Sequence, residues 1–216
     1  MSTVTPASEQ APKRTFWRGF WQKYLRPAVM LTLLLTILTG IIYPGVVTGL
    51  AQLLFPYQAN GSLHKVNGQI VGSDLIGQYW TLPKYFHGRP SATVNLNGTP
   101  SPYEADNSSA SNLGPTNATL IKSVQQRVAD LKKENPNAPA GPVPVDLVTT
   151  SGSGLDPDIS VAGALYQVPR IAQIRGISQS AVQQLVMAHV QGRFLGIFGE
   201  PYVNVLDLNL ALDALK

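Results

Sequence analysis

"PAVMLTLLLTILTGIIYPGVVTGLAQLLFPY", residues 27–57, decides the architecture. No charged side chain occurs between Arg26 and Lys65, and the apolar part runs from Pro27 to Phe55. A helix that crosses about 30 Å of hydrocarbon at 1.5 Å per residue needs roughly 20 residues. This run is longer than that. A buried core helix is usually shorter, and a cleaved signal peptide has an apolar core of only about 7–15 residues. The run therefore predicts an uncleaved membrane anchor. Pro27 suits a first helical turn, where its missing N–H is no loss. Pro44 is expected to kink the helix or end its regular part. Thr32, Thr36 and Gly40 recur at a spacing of four, a small-residue face suited to close helix approach or to lipid.

Charge gives the anchor a direction. The chain has 216 residues and a net charge of +4. Five of its 16 basic side chains (Lys13, Arg14, Arg18, Lys23, Arg26) precede the apolar run, with one of its 12 acids, Glu9. The rest is balanced. A nucleic-acid binder needs its basic face on the folded domain, so nucleic acid is not an expected partner. Basic residues flanking a span mark its cytoplasmic side. The expected organisation is a cytoplasmic tail over 1–26, a transmembrane helix over 27–55, and an extracytoplasmic domain over 56–216. Trp17, Trp21 and Tyr24 on one side and Tyr43 and Tyr57 on the other suit the two lipid interfaces. Residues 1–12 read as a disordered tail.

Beyond the anchor, helix and strand signals alternate. Asn67-Gly68 between two short apolar runs predicts a β-hairpin over 63–73. Residues 74–117 form a long Gly/Pro/Ser/Asn-rich loop. Its aromatic residues, Tyr79, Trp80, Tyr85 and Phe86, imply that it packs. Thr116 or Asn117 caps a helix with Leu120, Ile121, Val124, Val128 and Leu131 on one face, ended by Asn135-Pro136. "VPVDLVTTS" (143–151) and "YVNVL" (202–206) read as strands. Ser160 caps a helix to about Arg175, broken or kinked near Pro169. Ser178 caps another through about Gln191, and 207–215 forms a terminal helix. The fold class is α+β, or irregular α/β, on one N-terminal transmembrane helix.

The residues offer little catalytic chemistry. Cysteine is absent, which excludes disulfides, thiolate metal sites and a thiol nucleophile. "TTSGSGLDPDIS" (149–160) is glycine-rich, but a phosphate loop needs Gly-x4-Gly-Lys-Ser/Thr and a nucleophile elbow needs Gly-x-Ser-x-Gly. Neither spacing is present. The expected reading is a tight turn, with Asp156 capping near Pro157 and a helix behind Ser160. His64, His87 and His189 show no ligand spacing, so no metal site is expected, and Asp156 with Asp158 offers too few oxygens for calcium. No catalytic residue and no bound cofactor are expected.

Five stretches occur in a telling order: "NGQIVGSDLIGQYW" (67–80), "YFHGRPSA" (85–92), "SNLGPTN" (111–117), "PVPVDLVTTSGSGLDPDIS" (142–160) and "VNVLDLNLAL" (203–212). With the single anchor before them, they resemble the KdpC family of potassium-transporting P-type ATPase components, over about residues 28–215. The resemblance implies a non-catalytic accessory subunit of an ATP-driven K⁺ import complex in a bacterial inner membrane, needed for assembly or stability. Its implied partners are a channel-like K⁺-translocating subunit, a P-type ATPase subunit and a small single-span subunit. ATP, Mg and K⁺ would be handled by those other subunits. One departure is Asp158, where the family usually has His. The candidate partner contacts are Tyr85, Phe86, Arg89 and Pro90 in one loop, and Ser151, Ser153, Asp156 and Asp158 in the turn. The balanced charge of the outer domain argues for action by contact and against an electrostatic funnel for K⁺. On residues alone, a stand-alone anchored binding protein and a regulatory nucleotide-binding subunit remain as alternatives.

Overall fold

The computed structural model describes residues 13–215, with side chains from Trp17. The expected tail over 1–12 lies outside the described residues. The chain divides into two units, before and after the Asn60–Gly61 junction.

The first unit is a helical rod. It comprises α1 (Lys13–Phe20), α2 (Arg26–Ile37) and α3 (Tyr43–Leu54), joined by π-helical turns at Trp21–Leu25 and Leu38–Ile42, and then the one-turn α4 (Pro56–Ala59). Helix is continuous from Trp17 to Leu54, 38 residues, a length of about 57 Å. It is thus long and apolar enough to cross a membrane, with residues to spare at its basic end. The rod does not start at Pro27, and Pro44 does not end it. Each proline sits in the first turn of its α-segment, directly after a π turn. A proline lacks an N–H and its ring crowds the carbonyl four residues back; widening the turn before it relieves both. Thr32 and Thr36 share a regular helix, whereas Gly40 falls inside the π turn, which shifts the face it presents.

The second unit is α+β. A bulged antiparallel hairpin pairs β1 (Leu63–Val66) with β2 (Gln69–Ser73), turning at Asn67 and Gly68, both at positive φ. That is the conformation the Asn-Gly pair favours. The long loop follows, and then α5 (Ala118–Glu134), capped by Asn117, whose side chain accepts from Thr119 N. A second, three-stranded antiparallel sheet has the order β3 (Asp158–Ser160), β5 (Tyr202–Asn204), β4 (Val190–Gln191). Three helices complete the unit: α6 (Val161–Arg175), α7 (Gln179–Ala188) and α8 (Val205–Ala214). Phe86, Ile159, Ile171, Val182, Val186, Val203, Leu208 and Leu212 form the core, each at most 2% exposed.

Four local expectations need correction. Residues 143–151 form no strand; a 3₁₀ turn runs over Val145–Leu147. The alternation there serves burial of Leu147 and Val148, and the Asp146 carboxylate accepts from Ser160 N and Oγ at 2.7 and 3.0 Å. The 202–206 strand stops at Asn204, whose side chain accepts from Leu206 N and Asp207 N and starts α8 at once. Helix α7 ends at Ala188, and Val190–Gln191 pair with β5. Helix α6 is not broken at Pro169 and continues through it.

Candidate functional site

The two predicted contact segments meet. Arg89 donates from Nη1 to Asp156 Oδ2 at 2.9 Å and from Nη2 to the Thr150 carbonyl at 3.4 Å. Tyr103 Oη donates to the Arg89 carbonyl at 2.7 Å. Burial and the Asp156 charge push the Tyr103 phenol well above its ordinary pKa. Tyr79, Trp80, His87, Arg89, Tyr103 and Glu134 line a cleft of about 380 Å³. Trp80 Nε1 and Arg89 Nε are buried with no hydrogen-bond partner. A cleft with aromatic walls and such donors nearby is suited to an acceptor group, such as a partner's carboxylate or carbonyl.

The rest of the loop is fastened by buried amides. Phe86 is fully buried, so it packs in the domain's own core. Its N–H donates to Asn209 Oδ1 at 2.9 Å, and its carbonyl accepts from Asn209 Nδ2 at 3.0 Å. The next residue, His87, makes the same two bonds with Gln167, at 2.8 and 3.1 Å. Two side-chain amides thus stand in for a neighbouring strand. Arg170, 5% exposed, donates to the carbonyls of Pro83 and Tyr85 and to Asn135 Oδ1. Burial and Arg170 push the His87 imidazole down from its ordinary pKa, against the opposing Glu134 charge. Tyr85 donates to Asp213 Oδ2 at 2.8 Å, and Pro90 is half-buried at the cleft wall.

The Ser-Gly turn is a spool for the long loop. Its carbonyls at Ser153, Gly154 and Leu155 accept from Ser109 N, Ser91 Oγ and Gly77 N at 2.9, 2.7 and 2.8 Å. Its own N–H groups turn inward: Gly154 N donates to Ser151 Oγ at 2.9 Å and Leu155 N to Ser153 Oγ at 3.1 Å. A phosphate loop would leave those N–H groups for its ligand.

A third cluster has no signature in sequence spacing. His64 on β1 contacts Asp74 just after β2, and its Nε2 lies 2.9 Å from Asp207 Oδ1 at the start of α8. The donor atoms of all three lie within 4.8 Å of one another, a set that could hold a divalent cation or act as an ion-paired clasp. Asn204 supports it, donating to the Asp74 carbonyl at 2.9 Å and to Asp158 Oδ1 at 3.2 Å. Burial first, then Asp156, raises the Asp158 carboxyl to about 6, with Asp207 and Asp74 adding to the push.

The order of these parts along the chain is a family property. The family profile described as "K+-transporting ATPase, c chain" (KdpC) matches residues 25–214. The chain belongs to the KdpC family. Among relatives named "Potassium-transporting ATPase KdpC subunit", that of Rhodopseudomonas palustris (strain BisB18) is 56% identical over 184 residues, covering 82% of this chain and 91% of its own. The one from Methylobacterium nodulans is 57% identical over 183 residues, with 82% and 90% covered. That of Bradyrhizobium diazoefficiens is 55% identical over 181 residues, with 81% and 89% covered. The KdpC match begins at the basic end of the apolar rod and takes in both contact segments, the spool and the His64 cluster. The motif resemblance is therefore family membership, and the chain is a subunit of a K⁺-transporting ATPase.

Proposed function

We propose that this chain is a non-catalytic accessory subunit that stabilises the assembly of a K⁺-importing ATPase. Residues 27–55 span the inner membrane, 1–26 remain in the cytoplasm, and 56–216 form the extracytoplasmic domain. The partners are a channel-like K⁺-translocating subunit, a P-type ATPase subunit and a small single-span subunit, which handle K⁺, ATP and Mg. The observation that carries this reading is the family match from residue 25 to 214, rod and domain together. The asymmetry of basic residues around the rod supports the orientation, and the Arg89–Asp156 clamp beside the aromatic cleft supplies a contact surface.

The test is purification of the full chain, tagged at its C-terminus, from its native membrane in mild detergent. A P-type ATPase and a multi-span channel-like protein in fixed ratio are expected. Elution of a folded chain alone would overturn the proposal. A C-terminal reporter active in the cytoplasm would overturn the orientation.

A further inference from the structure

The segment between β4 and β5 stands apart from the rest of the domain. Every residue from Gln191 to Pro201 is exposed. Phe194, Leu195, Ile197 and Phe198 are 71, 72, 72 and 62% exposed, four large apolar side chains within five positions. Soluble surfaces scatter such residues singly; a contiguous group marks a site of interaction.

The segment is built. Phe194 and Phe198 pair across it, with N–H to carbonyl bonds of 2.9 and 3.0 Å in the two directions. The tip closes with Ile197 N donating to the Phe194 carbonyl at 3.2 Å, and its central residues Leu195 and Gly196 have φ of 53° and 73°. That is the hairpin-type turn that glycine and asparagine favour. A leucine held there places a large apolar side chain at the apex. Behind the tip, Arg193 Nη2 meets both Glu200 oxygens at 2.9 and 2.7 Å, so the finger's two charges neutralise each other. Its root is fixed by Val203, fully buried in the central strand.

The root also lies where the chain enters the domain. Asn204, two residues after Tyr202, donates to the Asp74 carbonyl, and Asp74 N donates to the Ser62 carbonyl at 3.0 Å. Ser62 follows Leu54, the last residue of the apolar rod, by eight positions, a tether of under about 30 Å even if fully extended. The finger thus springs from the corner of the domain where the chain enters it. A neutral, apolar, turn-shaped tip on such a corner matches a lipid surface, with the apolar side chains below the headgroups.

We propose that Phe194–Phe198 is a membrane-inserting finger that enters the lipid bilayer in which the chain is anchored. It rests on the rod being a membrane span. The finger gives the outer domain a second attachment. Its lipid preference follows from its chemistry: it enters zwitterionic bilayers as readily as anionic ones and is indifferent to salt, because its charges are paired.

The chain contains no cysteine, so Ile197→Cys carries a single environment-sensitive fluorophore and Leu96→Cys, 88% exposed on another loop, serves as the control. The full chain, without other subunits, is placed in phosphatidylcholine nanodiscs, which leave both faces open to solutes. The expected result is a blue-shifted probe at 197, quenched by lipids brominated near the headgroup and several-fold less accessible to aqueous iodide than the probe at 96. Salt should leave this unchanged. Equal iodide access at both positions overturns the proposal. If co-reconstituted ATPase subunits then protect position 197, the finger belongs to a protein interface. Alkaline carbonate washing separates the two readings: a chain that washes out of membranes has lost its anchor, and the finger proposal falls with it. A chain that stays, with an iodide-accessible finger, refutes the finger alone.

Discussion

Arg89 and Asp156 lie 67 positions apart in sequence, yet their side chains meet at 2.9 Å and join the loop after Trp80 to the Ser-Gly turn. Each side chain is 26% exposed, buried enough for a charge-assisted hydrogen bond to matter. Arg89→Ala should destabilise the full chain by about 1–3 kcal/mol. Urea unfolding in detergent, with a double-mutant cycle against Asp156→Asn, measures it; additivity of the two losses would show that the pair is not coupled. The same variant separates contact from scaffold. Weaker recovery of the ATPase subunits by a normally folded Arg89→Ala chain assigns the clamp to the interface.

The buried amides give a sharper outcome. Asn209 is fully buried and satisfies both backbone groups of Phe86. Asn209→Leu keeps the forked side-chain shape and leaves two buried polar groups without partners. A loss of about 2–5 kcal/mol is expected. An unchanged unfolding midpoint would mean that water replaces the amide.

Gly154 and Gly152 should respond unequally to alanine. Gly154 has φ of +70°, and a Cβ there would lie 2.6 Å from the Ser109 carbonyl oxygen and 2.6 Å from Thr93 Cγ2. Gly152 has nothing within 4 Å of a Cβ. Gly154→Ala should cost about 2–4 kcal/mol from left-handed backbone and overpacking, and Gly152→Ala almost nothing. Equal thermal shifts for the two would count against the spool.

Asp158 makes stability depend on pH with an unusual sign. Its carboxyl titrates at about 6 in the folded chain, above its ordinary 3.8. The folded state therefore binds the proton more tightly than the unfolded state between those values, and ionisation works against folding. Stability from this group is full below about 3.8 and is lost as pH rises through about 6. Asp158→Asn should match the parent near pH ~4 and exceed its stability at pH ~7.5, as read from urea midpoints across the range. A difference that stays constant with pH would contradict the assignment.

The sequence showed the parts of this structure whose signals are local. Asn67-Gly68 gave its hairpin, and Asn117, Ser160 and Ser178 each cap the expected helix through a side-chain acceptor. The apolar run gave its rod, although local rules do not foresee a helix that winds past Pro44 by loosening one turn. Long-range chemistry stayed hidden. Nothing near residue 86 indicates that Asn209 will hold it, and His64, Asp74 and Asp207 are drawn together by strand and helix packing that no spacing encodes. The Val-Pro-Val-Asp-Leu-Val stretch misled because alternation can serve a buried turn as well as a strand. The finger could have been noticed: "RFLGIFGEP" (193–201) is an apolar run framed by glycines, between a predicted helix and a predicted strand.

Strand β5 occupies the centre of its sheet, between β3 and β4, and is made after both of them. Helix α8, which follows it directly, supplies Asn209 for the loop at Phe86. A nascent chain that lacks β5 and α8 would thus expose the edges of a sheet with no middle and a loop with no anchor. Its folding must wait until β5 and α8 have been made, since long-range pairing cannot begin before both segments exist. Loss of α8 and β5 would remove a keystone and leave an open domain for quality-control proteases.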